Sequence, residues 1–127
     1  MPKETLSEII MRAKSPWDNP YQGSDKKVLF VCSAGILRSA TAARIYAHKY
    51  NTRCAGSAHY ALIPVTEDLL LWTDEVVFVN VHNYRQVADN FDLEAFPCKR
   101  KLLHIEDDYP HMDPRLIQLF KDQYEDF

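Results

Sequence analysis

Apolar positions along the chain gather into four short runs, with stretches of helical spacing between them. The first, KVLFVC from Lys27 to Cys32, is almost continuously apolar, as expected of a strand buried on both faces. TRCAG at 52–56 and EVVFVN at 75–80 read as the second and third strands, and KLLHI at 101–105 as a shorter, half-polar fourth strand suited to a sheet edge. Between these runs, residues 38–50 place Ala43, Tyr46, Ala47 and Tyr50 on one helical face. Thr66, Glu67 and Asp68 suit the start of a helix that carries Leu69, Leu70 and Trp72, because a hydroxyl and early acids complement a helix N-terminus. Residues 83–90 carry a weaker helical pattern. Asp113-Pro114 opens a last helix, with Leu116, Leu119, Phe120 and Tyr124 facing inward. Such alternation predicts an α/β fold with a parallel sheet, right-handed crossovers and helices on both faces.

Residues 1–25 differ from the rest. Leu6, Ile9, Ile10 and Ala13 predict a short helix over about residues 4–14, and SPWDNPYQGSD reads as a linker. The chain is therefore divided into an N-terminal extension at 1–25, expected to pack on the body and modulate access, and one domain at 26–127. Trp17 and Trp72 are read as packing residues.

Composition narrows the function classes. The chain has 127 residues, 46% of them apolar and 26% charged, which is ordinary for a globular protein. The net charge is -3 and the most basic spot is Lys99-Arg100-Lys101, best read as a solvated edge or loop, so nucleic acid is not expected as a partner. No run approaches membrane-spanning length and the N-terminus lacks a signal-peptide core, so no membrane association is expected. Cys32, Cys54 and Cys98 form no CxxC pair and are odd in number, which argues against a disulfide framework and fits a reducing, cytoplasmic setting. His48, His59, His82, His104 and His111 show no metal-ligand spacing, so neither metal nor cofactor is expected; His59 and His111 read as ordinary surface residues on loops near the cleft mouth.

The first strand ends on Cys32, where ligands collect in parallel sheets, and Arg38 and Ser39 follow at the start of a helix. The intervening Ser33-Ala34-Gly35-Ile36-Leu37 can curl so that its N–H groups point inward and make an anion cradle with the helix start. Arg38 adds a fork for two phosphate oxygens, and Gly35 supplies a residue able to take positive φ. The same positive field favours a thiolate at Cys32, toward which the Ser39 hydroxyl is placed to donate. The plainer reading is a buried cysteine, an exposed arginine and a polar cap.

The C-x5-R-S spacing after the first strand resembles the phosphate loop of the low-molecular-weight protein tyrosine phosphatases. CAGS at 54–57, TDEVVFVN at 73–80 and EDDYPHMDPRLIQLF at 106–120 also resemble that family's second strand, third strand and acid loop with final helix; the likeness covers residues 27–127. It implies a three-layer α/β/α fold with a four-stranded parallel sheet in the order 2-1-3-4. It also implies hydrolysis of phosphotyrosine in a protein substrate through a cysteinyl-phosphate intermediate, with phosphate, sulfate or vanadate as loop ligands.

Such chemistry needs an acid for the leaving phenolate. The candidates lie in Glu106-Asp107-Asp108-Tyr109, where repulsion between adjacent carboxylates would help one hold a proton. The resemblance assigns the role to Asp107 by its D-x-Y register, leaves Asp108 as auxiliary or alternative acid, and makes Tyr109 one cleft wall, with Tyr60 a second candidate. Ile36 stands where tyrosine-directed relatives carry isoleucine. Gly35 stands for an asparagine that ties the family's loop together, Ala34 for a glycine, Leu37 for a second cysteine, Ala40 for a proline, and Asn80 for the aspartate that ends the third strand. Two alternatives remain open: a module that binds phosphorylated partners without turning them over, and an arsenate reductase, for which Cys54 and Cys98 lack the usual paired spacing.

Overall fold

The computed structural model describes residues 26–35, 37–106 and 109–124, together with Ser7. The helix expected over 4–14 and the linker after it lie outside these residues, apart from Ser7, which is helical and exposed. Four strands form one all-parallel sheet: β1 (Lys27–Cys32), β2 (Asn51–Gly56), β3 (Glu75–Phe78) and β4 (Lys99–Leu102), in the order β2-β1-β3-β4. The helices are α1 (Arg38–Ile45), α2 (Glu67–Trp72), α3 (Val81–Asn90) and α4 (Pro114–Gln123), with a 3₁₀ turn at Leu93–Ala95. The expected α/β architecture and strand order are what the structure has.

β1 is the centre of the molecule because its side chains from Val28 to Cys32 are all buried. Its Phe30 ring stacks on Tyr46 and meets Phe120 and Tyr124 edge-on, with centroids 5.9, 6.3 and 5.5 Å away. These partners come from the end of α1 and from α4, and α1 and α4 contact one another, so both cover one face. The chain runs from β1 to β2 on one side, then crosses back to β3 on the other. Right-handed crossovers in opposite directions put α2 and α3 on the second face. The reversal makes the carboxyl end of β1, where Cys32 sits, a topological switch point.

Several boundaries differ from expectation, each for a physical reason. α1 ends at Ile45 rather than near residue 50, but bonds from Tyr50 N to Tyr46 O and from Lys49 N to Tyr46 O keep a helix-like spacing, so Tyr46 still points inward. β3 ends at Phe78, because Asn80 turns out of the sheet and accepts the His82 N–H as the cap of α3. β4 is Lys99–Leu102 rather than residues 101–105. Three of its four residues are basic, so the apolar pattern misses it, yet it is the edge expected of the Lys99-Arg100-Lys101 cluster. Thr66 and Asp113 cap α2 and α4 as read from sequence, accepting from Leu69 N and Arg115 N. Arg115 also binds the Asp113 side chain and holds that carboxyl below the usual carboxylate range.

Candidate functional site

Beyond Cys32 the chain leaves the sheet in a tight arc fixed by its neighbours. Ser57 N donates to Cys32 O at 2.8 Å and Ala58 N to Ser33 O at 3.1 Å, which stitches the loop to the segment after β2. Gly35 takes φ +85°, a conformation that a side chain disfavours. A Cβ there would also lie 2.7 Å from Gly56 N and 2.8 Å from Ala55 C. The turn that aims the loop back over Cys32 is therefore available only because two glycine backbones touch.

The arc brings donors onto the sulfur. Gly35 N–H points at Cys32 Sγ at 3.3 Å, and Ser39 Oγ lies 3.0 Å from the same sulfur. Ser39 Oγ is also 3.4 Å from the Ala55 carbonyl. Its single proton can serve either acceptor. With a thiol, the S–H donates to Ser39 and Ser39 to Ala55; with a thiolate, Ser39 turns its proton to the sulfur. Leu37, the N-cap of α1, offers the first turn of the helix no side-chain acceptor.

Arg38 is 2% exposed, contrary to the plainer reading of an exposed arginine. Its Nη1 donates to the Ile105 carbonyl at 2.8 Å and its Nη2 to Ser33 Oγ at 3.1 Å. Ile105 is itself held to the third strand's end by its N–H on Val79 O. The guanidinium is thus seated between the β1 loop and the segment that leads to Glu106 and the acid candidates. Together Ser33, Arg38, Tyr60, Asn80, His82 and Glu106 line a cleft of about 180 Å³.

Gly35 and Ser39 thus meet at the Cys32 sulfur and Arg38 meets Ser33, with Ala34 and Leu37 in the same loop; Cys32, 2% exposed, is not among the residues that line the cleft. Tyr60 lines the cleft and is 65% exposed, its ring edge-on to His59. Tyr109 is half-buried, packs on the core and lies under the Arg115 guanidinium at 5.3 Å; it is not among the residues that line this cleft. Ile36, Asp107 and Asp108 lie outside the described residues. His82, rather than His59 or His111, lines the cleft; His59 borders a second cavity and His111 Nδ1 lies 3.4 Å from Thr41 Oγ1.

Asn83 is a residue that sequence reasoning passed over. It is fully buried, and its Nδ2 donates both to Ser33 Oγ at 3.2 Å and to Ser57 Oγ at 3.0 Å. A polar residue in a weakly patterned helix reads as solvent-facing, and the one available signal was its place three residues after the cap Asn80.

All three cysteines are buried and stand outside any disulfide, and burial pushes the Cys98 thiol up. Among the described residues no three His, Cys, Asp or Glu side chains converge as metal ligands, and no helix is long and apolar enough to cross a membrane. No protein-family model, curated protein or solved structure matches this chain.

Proposed function

We propose that this chain is a cysteine-dependent protein tyrosine phosphatase. The observation that carries the reading is the buried Arg38 guanidinium, anchored to Ile105 O and Ser33 Oγ on the loop that also turns Gly35 N–H and Ser39 Oγ onto Cys32 Sγ. An arginine serving only solubility would not be sunk there, since burying a cation is costly without a purpose-built set of acceptors.

In this reading the Cys32 thiolate attacks phosphorus in line, forming the S–P bond as the P–O bond to the phenol breaks. Loop amides, the first amides of α1 and Arg38 hold the equatorial oxygens, where preorganised donors lower the barrier most. Asp107 gives its proton to the leaving phenolate. Its carboxylate then takes a proton from water, which attacks the cysteinyl phosphate and releases inorganic phosphate. Tyr60, exposed beside the cleft, offers an aromatic surface to the substrate ring.

The test is turnover of a simple aryl phosphate and of a phosphotyrosine peptide in the presence of a chelator. Wild type should turn over both, and Cys32→Ser should lose at least about a thousandfold. Asp107→Asn should lose about a hundredfold or more in kcat, the usual weight of a general acid. The larger loss in Asp108→Asn would move the acid by one residue. Phosphopeptide binding without turnover by wild type would leave a phosphate-reading module instead, and arsenate-dependent thiol oxidation would point to a reductase.

A further inference from the structure

Ser33 holds a proton with nowhere to go inside the protein. Its hydroxyl accepts from Arg38 Nη2 at 3.1 Å and from Asn83 Nδ2 at 3.2 Å. A hydroxyl has two acceptor positions and one O–H donor, and both acceptor positions are filled by groups that can only donate. The Cβ and the two incoming hydrogens take three of the four directions around the oxygen, so the proton must take the fourth. Among the described residues no acceptor faces it, although Ser33 is only 6% exposed and lines the cleft beside Arg38.

The orientation of Asn83 decides this. Were its amide reversed, the carbonyl oxygen would accept the Ser33 proton and the donor would be lost from the cleft. Two features oppose that reversal. Ser57 Oγ gives its only proton to Gln86 Oε1 at 2.5 Å, so it must accept from Asn83. Asn83 Oδ1 also lies buried with no partner among the described residues; reversal would bury an NH₂ group there, with two unmet donors in place of one unmet acceptor. With Gln86 Oε1 turned toward Ser57, as in the structure, the chain Gln86–Ser57–Asn83 sets the sense of every hydrogen bond up to Ser33.

We propose that the Ser33 side chain is a direct oxyanion ligand, donating its hydroxyl proton to a phosphoryl oxygen in the cleft, and that Asn83 is the positioning residue that holds it in the donor state. This rests on the reading of the site as a phosphate loop. A backbone cradle supplies donors that no side-chain substitution can remove; Ser33 adds one that is set from α3, on the far side of the segment that follows β2.

The experiment is calorimetric binding of inorganic phosphate alongside aryl phosphate kinetics, at a temperature where circular dichroism finds every variant folded. Ser33→Ala should weaken phosphate binding about tenfold, the weight of one hydrogen bond to a charged group, and Ser33→Thr should restore it to within about threefold. Asn83→Leu, which removes the amide without adding charge, should cost about fivefold in the wild-type background and less than about twofold on top of Ser33→Ala. Unchanged binding in Ser33→Ala overturns the inference. So does a penalty from Asn83→Leu of equal size in both backgrounds, since Asn83 would then act independently of Ser33. Wild type that neither binds phosphate nor shows Cys32-dependent turnover overturns the phosphate-loop reading itself, and this inference with it.

Discussion

Gly35 and Gly56 show how closely single residues set the site. The first takes positive φ and faces the Gly56 backbone, while a Cβ on Gly56 would lie 2.5 Å from Ser33 O and 2.6 Å from Ala34 C, in the segment just before Gly35. Alanine at 35 should cost about 3 kcal/mol, from left-handed strain plus overpacking, and alanine at 56 about 2 kcal/mol from overpacking alone. Because one Cβ already forces the two segments apart, the double variant should cost at least about 0.5 kcal/mol less than the sum. Urea unfolding of the four proteins measures this, and strict additivity would show that the two backbones relax independently. At this scale the sequence was half legible. Cys32, Gly35, Arg38 and Ser39 announce themselves because a strand end, a fixed spacing and a helix start constrain them together. Ser33 and Asn83 do not, because what matters is which way a hydroxyl proton points, and that is decided by Ser57 and Gln86, far along the chain from Ser33.

Short elements here depend on their ends. α2 has only six residues, too few to stand by propensity, yet it buries Leu69, Leu70 and Trp72 against the sheet. Its N-terminus is closed by Thr66 Oγ1, which accepts Leu69 N–H at 3.2 Å. Thr66→Ala should cost about 1 kcal/mol and Thr66→Ser close to nothing, read by thermal unfolding. A loss equal in both variants would mean that the Thr66 methyl, rather than its oxygen, carries the effect. The same end signals explain which elements could be read in advance. Thr66 and Asp113-Pro114 mark helix starts by local chemistry, and β1 and the core of β3 show as unbroken apolar runs. β4 was displaced because its basic residues hide it from the apolar pattern while Lys99 to Leu102 pair with Glu75 to Phe78 of β3, and α3 started early because Asn80 caps it rather than extending β3. Both depend on contacts between elements, which periodicity does not encode.

At the scale of the molecule the two ends of the sheet have opposite characters. The carboxyl end gathers donors around Cys32, while the amino end buries an acid. Glu75 is 1% exposed and binds Lys26 Nζ at 3.2 Å and Lys101 Nζ at 3.5 Å, and it accepts the Tyr124 hydroxyl at 2.8 Å. These bonds tie the approach to β1, the start of β3, the edge β4 and the end of α4 into one cluster, with Tyr46 and Tyr50 packed on Tyr124. Burial pushes the Tyr124 phenol far above its ordinary value of 10.0, and the bond to Glu75 and that carboxylate's charge push the same way. The sign follows from which state releases the proton. Below pH 10 both folded and unfolded chains keep it, and the cluster's contribution is intact. As pH rises past 10 the unfolded chain ionises this tyrosine while the folded chain cannot, so stability falls by up to about 1.4 kcal/mol per pH unit from this group. The Cys98 thiol, raised by burial above its ordinary 9.0, adds a fall of the same sign that begins about one unit lower. That group is common to wild type and Tyr124→Phe, so the difference between the two isolates the phenol. At pH 7 Tyr124→Phe should be less stable by about 1.5–3 kcal/mol, since Glu75 loses a bond to its charged carboxylate. Between pH 10 and 11 the gap should narrow by about 1 kcal/mol, because the variant has no phenol to ionise at that position. Urea unfolding at pH 7, 10 and 11 decides it: a gap that stays constant would mean that Tyr124 titrates in the folded protein as it does in the unfolded chain, and that the amino end of the sheet is open to water.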